Sequence, residues 1–263
     1  MKNTVLSIAV LTTLIFAQPK GNGFDLENYS ESTLTPELKD AIAYMGNEER
    51  LAYDIYQNLY NYHVDENDIE IKQLKNISEK SEIKHIKIVK DIVNRYELSS
   101  DDLSNVSDPI ADIDIDISDM PSGEYDIPAI QELYNTLYSK GVDSKKDALE
   151  VGCMVEVTDI DDLDYYIDMA EEAEADDVVK AFDVLRKGSY NHYWAFDKGL
   201  KNIGIEDGCC SLGTIGHVNY CQPDYPQKET RRGNGSGGKN GNGRGNKNGN
   251  GNGKGNRNGR GQN

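Results

Sequence analysis

Between residues 34 and 204, apolar residues recur mostly at three- and four-residue spacing, the period of a helix that buries one face. Thr35-Pro36-Glu37 opens the first such segment with a capping side chain, a proline in the first turn and an early acid, and predicts a helix to about His63. A second periodic segment runs from about Asp68 to Tyr96. A short helix is predicted from Pro128 to Lys140, ending at Gly141. A third long helix starts at Ser144, with Asp147 as its capping-box acid, and reaches about Ala170. A fourth spans about Ala175 to Asn202 and stops near Gly204. Residues 97–125 are rich in Asp, Ser, Pro and Gly and read as a long connection; the Ile/Asp alternation at Ile110–Ile117 has the period of a short edge strand, but its Asp density argues for a loop. Four long helices, each roughly 40 Å at about 1.5 Å per residue, are thus joined by short turns within each pair and a long crossover between the pairs. The pattern predicts an all-α, antiparallel four-helix bundle with that crossover between helices 2 and 3.

The polar residues inside the apolar stripes carry the chemistry. Glu49 interrupts Leu38, Ile42, Met45, Ala52, Tyr56 and Leu59 on the first helix. Glu82 and His85, one turn apart, interrupt the second; Glu156 and Asp159 the third; Ser189 and His192 the fourth. A buried carboxylate without a partner is costly and tends to neutralise, so four such interruptions call for one explanation. Each falls near the midpoint of its own helix, and in an antiparallel bundle midpoints meet at one level. Glu49, Glu82, His85, Glu156, Asp159 and His192 would then form one cluster of four carboxylates and two imidazoles. That donor set suits one or two first-row transition metals, iron or manganese. Taken singly, Glu82-x-x-His85 is a weak motif, His192 alone is more often a hydrogen-bonded core histidine, and Glu156–Asp159 alone is more often a solvated face. Helical phase does not separate Glu49 from Glu48, which Tyr44, Leu51 and Ile55 also surround.

At Tyr44–Tyr60, Ser81–Tyr96, Asp147–Leu163 and Gly188–Phe196 the chain resembles a ferritin-like family, DUF2202, over about Leu34 to Leu200. The wider ferritin-like superfamily, rubrerythrin-type proteins included, places a Glu on its first helix and Glu-x-x-His on its second. The resemblance carries these onto Glu49, Glu82 and His85, and the run Glu49–Ala52–Tyr56 favours Glu49 over Glu48. The superfamily often has Glu-x-x-His on the fourth helix as well. Here Ser189 stands in the carboxylate's place before His192, and Asp159 is the candidate to compensate. The resemblance implies a ferritin-like fold, but fold does not fix activity.

Composition divides the chain further. Its net charge of −18 conceals a tail: from Arg231 onward there are eight basic residues and no acids, which leaves 20 basic against 46 acidic residues elsewhere, a charge of −26. So acidic a body repels nucleic acid and attracts cations. The tail lacks base-stacking aromatics; it reads as disordered, with anionic surface polymers or the acidic body as expected contacts. Lys2 followed by an apolar run from Val5 to Phe16 reads as a signal peptide over residues 1–18, with a retained anchor as the alternative. A linker follows over 19–33, and a cysteine-containing extension over 205–230 follows the helical domain. An exported chain meets oxidising conditions, so Cys221 is expected to pair with Cys209 or Cys210, and Cys153 to be a buried core thiol. Asp112, Asp114 and Asp116 open like a calcium loop, but Ile117 replaces its glycine and Gly123 its closing acid. The function expected is a secreted or extracytoplasmic metal-binding protein, with slow oxidase or peroxidase-like activity as an extension. The alternative is a metal-free helical surface module with a hydrogen-bonded polar core; assembly with further copies stays open.

Overall fold

The computed structural model describes residues 24–99, 102–103, 121–125 and 127–227, and over them the chain is predominantly helical. The helices are α1 (Pro36–Asn67), α2 (Lys72–Ile77), a π-helical segment (Ser78–Glu82), α3 (Ile83–Arg95), α4 (Pro128–Gly141), α5 (Lys145–Glu172) and α6 (Asp176–Asn202). The apolar N-terminal run, the acidic stretch at Asp112–Asp116 and the tail from Arg231 lie outside the described residues. Among the described residues, no helix is long and apolar enough to cross a membrane.

The helix starts follow their capping chemistry. Thr35 accepts a hydrogen bond from the Leu38 amide, with Pro36 in the first turn, and Ser144 accepts one from Asp147. Helix α1 runs a turn past the predicted end and stops where Asp68 turns left-handed, at φ 54°. The segment expected as one helix from Asp68 to Tyr96 instead starts at Lys72 and is broken by the π turn. Ser78 marks the break: its hydroxyl lies 2.8 Å from the Leu74 carbonyl and 3.1 Å from that of Lys75. Back-bonding of this kind bends helices.

Two apolar clusters fill the interior. One gathers the second half of α1 (Leu51, Ile55, Leu59), α2 (Ile71 at its cap and Leu74), the first half of α5 (Leu149, Val151) and the end of α6 (Phe196, Leu200). The other gathers the first half of α1 (Leu38, Ile42, Met45), α3 (Val89, Ile92), the end of α5 (Leu163, Ala170) and the start of α6 (Phe182, Leu185). Burying each such side chain contributes about 1.5–3 kcal/mol. Part of the expected linker also packs: Leu26, in a 3-10 turn, is 6% exposed within the second cluster.

The extension folds back on the helices. A 3-10 turn (Gly208–Leu212) precedes a short antiparallel hairpin pairing β1 (Thr214–Ile215) with β2 (Val218–Asn219). Tyr193 Oη donates to the Tyr220 carbonyl at 3.0 Å, and Trp194 Nε1 to that of Tyr225 at 3.2 Å. Cys210 pairs with Cys221, one of the two pairings expected. Cys153 is not the core thiol that its apolar helix suggested, because the turn carries Cys209 to it, with Cα atoms 5.7 Å apart, and the two form a disulfide.

Candidate metal centre

The polar layer lies in the gap between the two apolar clusters. Helix α1 turns Glu49 into it, α5 supplies Glu156 and, one turn on, Asp159, and α6 supplies Ser189 and His192. The π turn and the start of α3 bring Glu82 and His85. All six predicted residues are buried, none more than 7% exposed.

Glu82 is central. Its Oε2 is 3.2 Å from His85 Nδ1, and its Oε1 is 3.0 Å from His192 Nδ1. Each imidazole faces a second carboxylate: His85 Nδ1 lies 3.0 Å from Glu49 Oε2, and His192 Nδ1 lies 3.4 Å from Glu156 Oε2. The two rings stack with centroids 5.2 Å apart. Glu82, His85 and His192 each offer a donor atom within 4.8 Å of the others, the one such set of three among the described residues. Asp159 is the outlier: it pairs with neither imidazole, and its Oδ2 accepts a hydrogen bond from Ser189.

Several of these atoms lack a hydrogen-bond partner. Glu49 Oε1, Glu82 Oε1, Asp159 Oδ1 and His192 Nδ1 are all buried and unsatisfied. His192 Nδ1 and Glu82 Oε1 are close, yet not aligned for a hydrogen bond with each other. Unsatisfied buried atoms of this kind are costly in a finished core, and oxygen and imidazole donors converging on one space suit a first-row divalent ion.

The model of an uncharacterized protein domain, DUF2202, matches residues 38–214. The chain belongs to the DUF2202 family. It is similar to uncharacterized protein MJ0754 of Methanocaldococcus jannaschii, 32% identical over 179 residues that make up 68% of this chain and 83% of that one. The crystal structure of hypothetical protein MJ0754 from Methanococcus jannaschii aligns with a TM-score of 0.55 at 32% identity, covering 67% of this chain and 86% of the other. The region matched by the DUF2202 model contains the whole polar layer.

Electrostatics in this DUF2202 layer are set by burial and by the two imidazoles. Burial raises Glu49 to about 7 against the opposing pull of His85, and raises Glu156 to about 7 against that of His192. Burial would also raise Glu82, but the charges of His192 and His85 outweigh it and hold its carboxyl below the ordinary range. Burial disfavours a charged His192, yet Glu156 and Glu82 lift it to about 10. His85 is raised in the same way by Glu49 and Glu82. Asp159 is pushed well up by burial and by the charge of Glu49. Without a cation, then, burial and mutual charge favour proton binding by the imidazoles and by Glu49, Glu156 and Asp159.

Three contacts of the layer are not foreseen by the sequence. Tyr56 Oη donates to Glu156 Oε1 at 2.5 Å. Ser81 Oγ lies 2.7 Å from His192 Nε2. Gly188 packs so closely on His85 that a Cβ there would come within 2.2 Å of Nε2. The available signal was the gap between Ile77 and Ile83, where Ser78-Glu-Lys-Ser-Glu82 breaks the apolar period. Glu48 turns away from the imidazoles, with its carboxyl within hydrogen-bonding reach of Asp162.

Proposed function

We propose that the chain is a ferritin-like metalloprotein, exported from the cell, that binds one or two iron or manganese ions in its polar layer and slowly oxidises Fe(II) with oxygen or peroxide. In this reading α1, the α2–α3 rod, α5 and α6 are the four helices of the bundle, and α4 belongs to the crossover. The observation that carries it is Glu82, whose two oxygens face the Nδ1 atoms of two different histidines. A carboxylate so placed suits a bridge between two positions. Glu49 and His85 would hold one ion, and Glu156 and His192 the other. Asp159, which accepts a hydrogen bond from Ser189, would compensate for the carboxylate that the superfamily often has where Ser189 stands.

A bound redox ion supplies one-electron exchange with oxygen or peroxide. The residues do the rest. Their imidazoles and carboxyls release protons to become ligands. Tyr56 fixes the Glu156 carboxylate through its hydroxyl. The apolar clusters above and below keep bulk water from the layer. With Ser189 in place of a ligand carboxylate, the set lacks one donor that the superfamily often supplies, and an ion there would have a coordination position open to a small reactant. The two disulfides support export, since such bonds persist in oxidising compartments.

The reading predicts one or two equivalents of metal after anaerobic reconstitution with Fe(II) or Mn(II), measured by elemental analysis. Stopped-flow absorbance should show Fe(II) oxidation by peroxide faster than for free iron, and slowed by His192→Ala. A chain that takes up no metal and whose melting is indifferent to metal would leave the metal-free helical module as the correct description.

A further inference from the structure

Two neighbouring residues of the π turn grip opposite edges of one imidazole. Glu82 Oε1 faces Nδ1 of His192 at 3.0 Å, and Ser81 Oγ lies 2.7 Å from Nε2 of the same ring. In a regular α-helix consecutive side chains point about 100° apart, which favours different partners for each. The π turn at Ser78–Glu82 alters that relation, and π turns inside helices are frequent at functional sites.

We infer that Ser81 is a positioning residue, which fixes the ring plane and tautomer of His192 so that Nδ1 faces the carboxylates of the layer. The inference rests on reading that layer as a metal centre. An imidazole that gives its Nδ1 lone pair to an ion must keep its proton on Nε2. Ser81 Oγ is there to accept that proton in a hydrogen bond. It is the hydrogen-bond partner of Nε2 among the described residues, and Nδ1 itself has none. A hydroxyl is also an acceptor without charge. A carboxylate in its place would add to the four already in the layer, whereas Ser81 orients the ring and leaves the charge unchanged.

The other histidine is held differently. Nε2 of His85 rests against Gly188, where packing restricts the ring, and its Nδ1 lies 3.0 Å from Glu49 Oε2. The two positions are therefore unequal. Removing the Ser81 hydroxyl should affect the His192 position and spare the His85 position.

The test uses the full-length oxidised chain with Co(II) as the probe, titrated against a competing chelator and followed by visible absorption. Ser81→Ala should bind the ion at the His192 position about 10–100-fold more weakly, the usual cost of losing a partner behind a ligating histidine, and should change the Co(II) spectrum. Ser81→Thr, which keeps the hydroxyl, should restore both. Lys80→Ala, an exposed neighbour in the same turn, should change neither. In the metal-free wild type, the Nε2 proton of His192 should give a slowly exchanging NMR resonance, assigned with His192→Asn; this reading holds even if Ser81→Ala folds poorly. Wild-type affinity and spectrum in Ser81→Ala, a loss that threonine does not restore, or a rapidly exchanging Nε2 proton would each overturn the inference. Failure of the wild type to bind Co(II) at all would instead remove the metal reading on which it rests.

Discussion

At the scale of single residues, adjacent glutamates have opposite surroundings. Glu49 reaches His85, while Glu48 reaches Asp162. Glu49→Ala is expected to lower metal content strongly and Glu48→Ala only slightly, by elemental analysis of reconstituted protein; the reverse ranking would put the wrong glutamate in the site. The sequence alone could not separate the two by phase, because both have apolar neighbours within a turn. The pH response of the metal-free protein follows from the same groups. Glu49 and Glu156 sit at about 7 in the fold, above the ordinary 4.5, so the folded state binds more protons between those values. Their contribution is present in full below about pH 4.5 and is lost as pH rises through about 7. His192, raised from 6.5 to about 10, contributes in full below 6.5 and loses that contribution as pH rises through 10. Chelator-treated protein should therefore melt at progressively lower temperature from pH 5 to pH 9. Added Mn(II) should stabilise it more at pH 8 than at pH 5, because protons compete for the same ligands. A metal-free melting temperature that rises from pH 5 to pH 9 would contradict these assignments.

At the scale of elements, the long helices were legible because caps and apolar period agreed: Thr35-Pro36 and Ser144 start helices where the sequence says they should. The π turn was not, because periodicity reports which face is buried and not which carbonyl an amide bonds. The Ser78–Glu82 gap announced a break without its geometry, and Ser81 stayed hidden with it. Gly188 shows the same limit. In sequence it is a weak point in a helix, where alanine would be favoured by roughly 1 kcal/mol. In the fold it is the space that His85 Nε2 occupies. Gly188→Ala should keep α6 helical by circular dichroism yet displace the His85 ring and weaken metal binding at least tenfold. Unchanged affinity in that variant would mean that the ring position does not matter to the site.

At the scale of the whole molecule, the described residues form two apolar clusters with a polar layer between them, pinned on one side by the extension. The sequence indicated the layer through the shared midpoint of its helices, but could not foresee that Cys209 returns to Cys153. That contact depends on a turn 56 residues downstream, and no local pattern encodes it. Closing so long a loop should contribute about 2–4 kcal/mol. Cys153→Ser should lower the melting temperature clearly, whereas Cys221→Ser, which opens a separation of 11 residues outside the helices, should lower it less; equal effects would show that the long loop is not the stronger constraint. The claim on which the rest depends is that the polar layer is a metal centre organised by Glu82. Anomalous X-ray diffraction from crystals reconstituted with Mn(II) or Fe(II) tests it most directly. The account predicts one or two anomalous peaks within bonding distance of Glu82, flanked by His85 with Glu49 and by His192 with Glu156. Crystals that hold the metal elsewhere, with the layer closed on itself by hydrogen bonds, would contradict it.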